Sequence, residues 1–403
     1  MKKVFTTILI CGTILSHAQT HVFKRELQSS AFSLNMFKNP FDNSYYLYKS
    51  IQFIGINNQV DLVKMDTAGN VTNNIAVSIS NILGFGPTVF PYSTGFIGGF
   101  QNQSVPNDYS IVSKIDNSGT VLWTKGYRHP DFLETIPVLV DEPNNMILST
   151  GLLGDISAGG VNCLILKTGL NGTVMTTYKY NLVNASSVNG MFPNNLLKLN
   201  SGNYIYLASL YTPCLNCFSP VVLELDSAFQ IISSQKMLLS LGDPTAIQFI
   251  KKPNDGFYAI GVFYQSGPNY ISYSYVINFS PSLNKIWAKY TNNNTSNYSV
   301  IFTNGQITPD GGLIIGGTYT SPAGYNDMML MKVDSMGNIN WSNLIGQSSD
   351  DESISSFVYD PNDAIYIAGG GYDTAQSSSN VNGLFLKTDL TGNTSCGNNS
   401  FSA

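Results

Sequence analysis

Only three histidines, three tryptophans and five cysteines occur in 403 residues. Charged side chains make up 11 %, less than half of the ~25 % of an ordinary soluble domain. The 20 basic and 25 acidic residues are scattered singly, giving a net charge of −5 with no basic patch. That argues against a nucleic-acid partner. Beyond the first residues, no segment approaches 18 unbroken apolar residues, so no transmembrane helix is expected. There is no Gly-rich phosphate loop opening a helix, no Gly-x-Ser-x-Gly elbow and no Asp-x-Asp-x-Asp-Gly calcium loop. No amphipathic helical pattern competes with the strand signals. What is present is apolar: 43 % hydrophobic residues, enough for a core and too many for a disordered chain.

The first eighteen residues read as an export signal. Lys2 and Lys3 form a positive start, Val4 to Leu15 an apolar stretch, and Ser16-His17-Ala18 a small-residue cleavage site before Gln19. Ile10 ahead of Cys11 departs from a lipobox, which argues against lipidation. The mature chain, 19–403, is expected outside the cytoplasm, secreted or at the cell surface or periplasm. Four cysteines remain there, Cys163, Cys214, Cys217 and Cys396. They are too few for a disulfide framework, so packing must hold the fold.

A repeat dominates the rest. An apolar run, Lys-x-Asp, a Gly turn and a second apolar run recur with anchors at Lys64, Lys114, Lys167, Glu224, Asn278, Lys332 and Lys387. Successive anchors lie 50, 53, 57, 54, 54 and 55 residues apart. Two positions later stand Asp66, Asp116, Gly169, Asp226, Ser280, Asp334 and Asp389. Five positions after the anchor stand Gly69, Gly119, Gly172, Phe229, Leu283, Gly337 and Gly392. Nine after it fall all three tryptophans, Trp123, Trp287 and Trp341.

Each unit carries four strand signals. In the sixth they are Val300 to Thr303, Leu313 to Tyr319, Asp327 to Val333 and Ile339 to Ile345, joined by Gly/Asn/Asp turns. Seven units of four antiparallel strands predict an all-β, seven-bladed β-propeller as one domain. The last unit lacks a fourth strand, and the segment His21 to Leu27 is one too many for the first. The N-terminal strand is therefore expected to close the last blade and cover its open edge. The Gly pairs Gly98-Gly99 and Gly316-Gly317, and the run Gly369-Gly370-Gly371, are assigned to inner strands near the axis. The tryptophans are assigned to packing of the wider outer strands.

The stretch from Trp341 through Asp350-Asp351 to Ile367-Ala368-Gly369-Gly370, then Leu384 to Asp389, resembles the seven-bladed propeller repeats of secreted bacterial proteins. It is similar in particular to those of Bacteroidetes. The resemblance covers nearly all of 19–403 and implies fold more than function. Many such relatives carry a C-terminal sorting domain for type IX secretion. With Ala403 so close behind the last repeat, none is expected here. Asp66-Thr67-Ala68, Asp226-Ser227-Ala228, Asp334-Ser335-Met336 and Asp373-Thr374-Ala375 resemble the Asp-Ser/Thr-apolar O-glycosylation site of that phylum. Ordinary turn composition is the favoured account of them.

The connections between strands two and three, and between blades, are longer and differ from unit to unit. Variable connections on a rigid scaffold are where function is placed, so that face is the expected binding face. Tyr264, Tyr270, Tyr273, Tyr275, Tyr290 and Tyr298 cluster in the fifth unit among Gln265, Asn269 and the asparagines of 292–297. Tyrosine with amides suits sugar rings, and strand packing is the competing reading. Tyr264, Tyr270 and Tyr298 are the expected contacts, with Arg128 and His129 from a second connection. A Ser-His-Asp arrangement could be built only around Arg128, His129, Asp131 and Glu134. Asp350, Asp351 and Glu352 are the candidate paired carboxylates, although an acidic triplet is ordinarily solvated loop.

Cys214-Leu215-Asn216-Cys217 could be a redox pair, half a zinc site or a loop disulfide, and the last is favoured because no second ligand pair exists. No metal and no cofactor are expected. The expected function is a monomeric binding module for an extracellular glycan or protein. The alternatives are a polysaccharide-acting hydrolase or lyase and a structural surface component.

Overall fold

The computed structural model describes residues 23–27, 33–51, 57–80, 88–102, 109–128, 133–153, 162–180, 196–212, 217–237, 244–265, 271–291, 299–346, 351–372, 381–394 and 398–400. They form seven antiparallel sheets, one per repeat. Blade I comprises Ser33–Lys38, Tyr45–Ile51, Asn57–Met65 and Val71–Ser80. Blade II comprises Thr88–Tyr92, Gly95–Asn102, Tyr109–Asp116 and Val121–Tyr127. Blade III comprises Leu133–Asp141, Met146–Leu153, Asn162–Gly169 and Val174–Tyr180. Blade IV is Leu196–Lys198, Tyr204–Thr212, Cys217–Leu225 and Ile231–Lys236, and blade V is Pro244–Lys251, Phe257–Gln265, Ile271–Phe279 and Lys285–Tyr290. Blade VI is Ser299–Ile307, Leu313–Thr320, Asn326–Val333 and Ile339–Ile345. Blade VII has Asp351–Tyr359, Ile365–Tyr372 and Val381–Thr388.

The fourth strand of blade VII is Phe23–Leu27, paired antiparallel to Val381–Thr388 with Phe23 opposite Lys387 and Leu27 opposite Gly383. The N-terminal closure read from the sequence is thus the observed one. The last unit adds a feature that its sequence did not announce. Asn398–Ser400 crosses back and pairs with Ile339–Ile345 as a fifth strand on blade VI.

The cores lie between blades. Seven clusters of buried apolar residues occur, each drawn from two neighbouring blades. The cluster joining blades VII and I contains Met36, Tyr45, Leu47, Tyr366 and Phe385, which completes the ring. Tyr45 and Tyr366 have ring centroids 4.1 Å apart. Each buried side chain of this size contributes about 1.5–3 kcal/mol, so the interfaces carry most of the stability. Cys163 is buried in the III–IV core, and burial pushes its thiol up to about 12, which keeps it protonated.

The repeat positions have defined duties. Asp66, Asp116, Asp226, Asp334 and Asp389 each accept backbone N–H bonds from residues two and four further on, at 2.7–3.0 Å. This Asx geometry sets the turn between strands three and four. Four anchor lysines, Lys64, Lys114, Lys167 and Lys387, lie over aromatic rings, as with Lys114 over Tyr92 at 4.7 Å and Lys387 over Tyr366 at 5.0 Å.

One expectation is corrected. The glycine pairs sit in second strands, not on the axis. A Cβ at Gly317 or Gly369 would meet the carbonyl of Ile301 or Ser353 in the inner strand of the same blade. A Cβ at Gly316 would lie 2.8 Å from Phe357 of the next blade. These glycines let inner strands approach. The inner strands of blades III, V, VI and VII also carry a register shift at matching places, between Pro137 and Leu139, Ala246 and Gln248, Phe302 and Asn304, and Ile354 and Ser356. Such bulges re-aim neighbouring groups. Here they serve lateral bonds: Asn304 Nδ2 donates to the Ser355 carbonyl at 2.7 Å, and the Met36 N–H donates to Ser356 Oγ at 2.7 Å.

Candidate binding face

The two faces of the ring differ. On one, the turns joining strands one to two and three to four are short and bonded to one another. Lys38 pairs with Asp360 at 2.7 Å, Lys198 pairs with Asp141, and the Asn200 N–H donates to Asp255 Oδ1 at 2.7 Å. Ser93 donates to Glu142. Each pair joins neighbouring blades, so these polar groups help hold the ring, while others such as Lys64–Asp42 and Lys332–Asp310 pair within a blade.

The opposite face receives the connections from strand two to three and from blade to blade. They vary from residues 213–216 to residues 181–195, whereas the three-to-four turns stay close to the pattern of residues 66–70. At this face, between blades VI and VII, three carboxylates converge. Asp327 lies at the start of the third strand of blade VI, and Asp351 and Glu352 open the inner strand of blade VII. The Asn326 N–H donates to Asp351 Oδ1 at 2.8 Å. Behind it, Thr320 Oγ1 donates to Asn326 Oδ1 at 2.7 Å, and Ser299 Oγ donates to Thr320 Oγ1 at 3.2 Å. Gly346 leaves room for the acids: a Cβ there would meet Asp327 Oδ1 and lie 2.9 Å from Glu352 Oε2.

Burial first, and the neighbouring Asp351 charge second, push the Asp327 carboxyl above the usual carboxylate range. Its ionised form is disfavoured beside an acid that accepts a backbone N–H. The arrangement therefore offers a carboxyl biased toward donating next to one that accepts. That suits hydroxyl groups of a ligand, or acid–base chemistry. Among the described residues no group of three His, Cys, Asp or Glu side chains is arranged to hold a metal ion.

The sequence candidates fare unevenly. Asp351 and Glu352 are not solvated loop: both are in a strand, and Glu352 is 4 % exposed. Glu134, placed in a connection by the sequence reading, belongs to the inner strand Leu133–Asp141. Arg128 is exposed at the end of blade II. Tyr264 lies in the second strand of blade V, opposite Ser272. Tyr273 and Tyr275, from the same tyrosine cluster, are 7 % and 0 % exposed in the core between blades IV and V, so they pack rather than present themselves. Cys217 opens the third strand of blade IV, opposite Thr212 at the end of the second. Tyr270, Tyr298, His129 and Cys214 lie outside the described residues.

Asp327 was missed. Its signal is positional: the fifth residue before the anchor is Gln59, Tyr109, Asn162, Ser219, Tyr273 and Asn382 in the other six units. Only the sixth places a carboxylate there.

No family model matches this sequence, and no curated protein is similar to it in sequence. Among solved structures, the β-propeller domain of the Trilobed protease from Pyrococcus furiosus is similar over 93 % of this chain and 97 % of that one, with 11 % identity and a TM-score of 0.49. A member of the DUF4221 family from Bacteroides vulgatus covers 74 % of this chain and 93 % of its own, with 13 % identity and a TM-score of 0.43. The acylaminoacyl peptidase of Pyrococcus horikoshii covers 90 % of this chain and 52 % of its own, with 9 % identity and a TM-score of 0.48. This chain thus spans about half the length of that enzyme. The propeller assignment rests on the strand pairing above, not on these likenesses.

Proposed function

We propose that the protein is a secreted β-propeller that binds an extracellular glycan or protein through the face carrying the two-to-three and blade-to-blade connections. The observation that carries this reading is the asymmetry of the ring. One face ties its polar groups into its own turns and the neighbouring blades, while the other gathers variable connections and the Asp327–Asp351–Glu352 group. Rigid sheets beneath variable connections are a general arrangement for recognition. Export follows from residues 1–18 as read from the sequence. Tyr264 near the end of a strand, and Tyr270, Tyr298, Arg128 and His129, remain the proposed contacts, with the carboxylates as hydroxyl-binding partners.

A second reading is a polysaccharide-acting enzyme, favoured by one observation. A carboxyl biased toward its protonated form beside an ionisable neighbour is what an acid–base pair requires.

Thermal-shift screening of the full chain against soluble polysaccharides, with a reducing-end assay on each hit, separates the two. Binding without turnover, weakened by Tyr270→Ala or Tyr298→Ala, supports the module. Turnover lost in Asp327→Asn supports the enzyme. A panel without any shift removes the glycan and leaves a protein partner.

A further inference from the structure

Four blade interfaces follow one rule at the position thirteen residues after the anchor. In blade II this is Tyr127, 7 % exposed, whose hydroxyl donates to the Gly172 carbonyl of blade III at 2.9 Å. In blade III it is Tyr180, 5 % exposed, donating to the Phe229 carbonyl of blade IV at 3.0 Å. Both acceptors are the fifth residue after the next anchor. In blades IV and VI the position holds Met237 and Ile345, buried at 3 % and 4 %. Each time a large side chain plugs the interface.

Blade V breaks the rule. Its residue is Thr291, whose Oγ1 accepts the Ser274 N–H at 3.1 Å and whose own N–H donates to the Ser274 carbonyl at 2.9 Å. The remaining walls match those between blades II and III. Trp287 stands where Trp123 does, Lys289 where Lys125 does, and Gly337 where Gly172 does. A Cβ at Gly337 or at Gly172 would lie 3.1 Å from Cζ3 of the respective indole. Only the plug is missing. In its place is a cleft of about 370 Å³ whose floor includes Val276, Phe302 and Met331, with Tyr290 at its mouth, 51 % exposed.

We propose that this cleft is a binding site for a phenol ring, the tyrosine side chain of a partner polypeptide. The molecule itself shows the fit, since the sister interface between blades II and III holds the Tyr127 ring beside the same walls, Trp123 and Gly172. The occupant's hydroxyl would donate to the Gly337 carbonyl, the counterpart of the Gly172 and Phe229 carbonyls. An apolar floor with an indole wall favours an aromatic ring, and Met331 suits it as a thioether neighbour. The hydroxyls of a sugar would lose water against this floor without gaining partners. The volume exceeds that of one ring, which leaves room for the chain that carries it. This site lies between the outer strands and is independent of the face proposed above.

The test uses the full chain with p-cresol as probe, followed by ligand-observed NMR and calorimetry. Binding of p-cresol is expected, with toluene weaker by about three- to tenfold for want of the hydroxyl. N-acetyltyrosinamide should displace p-cresol, and N-acetylphenylalaninamide should do so less well. Thr291→Tyr should abolish p-cresol binding and raise the melting temperature. Thr291→Met, the residue type of blade IV, should block it as well and serves if the first variant misfolds. Absence of p-cresol binding at millimolar concentration, or binding unchanged in a folded Thr291 variant, overturns the site. Binding of p-cresol that N-acetyltyrosinamide cannot displace overturns the polypeptide partner.

Discussion

The indole of Trp341 in blade VI lies against Gly392 in the turn of blade VII, so closely that a Cβ on the glycine would sit 2.8 Å from Cζ3. The pairs Trp123–Gly172 and Trp287–Gly337 repeat this relationship. Blades III and IV lack tryptophan, and there the next turn supplies the bulk. Thr176 and Ser233 stand at the tryptophan position of blades III and IV, and the following turns carry Phe229 and Leu283. Those two side chains are 2 % and 4 % exposed, with φ of 62° and 61°. A left-handed backbone costs a non-glycine residue roughly 1–2 kcal/mol, and burial of the side chain outweighs it. At these five interfaces volume is thus conserved while its source alternates.

A double-mutant cycle checks the exchange. Phe229→Gly should destabilise by about 2–4 kcal/mol, the loss of a buried ring less the relieved strain. Adding Thr176→Trp should restore at least about 1 kcal/mol in urea denaturation. In a wild-type background Thr176→Trp alone should destabilise, because the site is already full. Additive effects would show that the two positions do not share space.

Closure by Phe23–Leu27 predicts a specific failure. A chain beginning at residue 29 leaves Val381–Thr388 as an unpaired edge next to the VII–I interface. Its melting temperature should fall and it should self-associate in sedimentation, since an open edge invites pairing. Supplying a peptide of residues 19–28 should reverse both. A truncated chain as stable and monodisperse as the full one would show that the ring does not depend on this strand.

Acid should weaken the ring through its ion pairs. The Lys332 ammonium, followed by the Thr308 hydroxyl, holds Asp310 at about 2. For Asp360 burial acts upward, but Lys38 and Tyr45 outweigh it and hold the carboxyl below its ordinary value. Asp141, paired with Lys198, follows the same balance. Groups lowered in the folded state stabilise it fully above the unfolded carboxylate range. They lose that contribution as pH falls toward the folded value, so stability should be level from about pH 5 to 7 and decline between about 4 and 2. Asp327 has the opposite sign. Its raised pKa penalises the folded state once it ionises, so Asp327→Asn should raise the neutral melting temperature by about 1–2 °C. That gain should vanish as pH falls through the carboxylate range. A gain that persists in acid would show that the group is not strained by ionisation.

The blade count and the strand order were legible because local signals recur from unit to unit, and the N-terminal closure because a surplus strand at the start matches a missing one at the end. Asx turns, Gly at the left-handed position and alternating apolar residues each recur at a fixed offset from the anchor. The candidate site was legible only in part. Asp351 and Glu352 stood out as an acidic run, yet their burial depends on Asp327 and Gly346 arriving from the neighbouring blade. The missing plug at Thr291 is visible only after aligning the units thirteen residues beyond their anchors. The fifth strand at Asn398–Ser400 is three residues long and has no apolar pattern, since backbone pairing alone places it.

Hydrogen–deuterium exchange of the full chain, with and without a polysaccharide or protein ligand found by screening, tests the binding face most directly. The account predicts protection confined to the two-to-three and blade-to-blade connections and to the segment around Asp351. Protection centred on the turns at Asp66, Asp116, Asp226, Asp334 and Asp389 would place the ligand on the opposite face and contradict it.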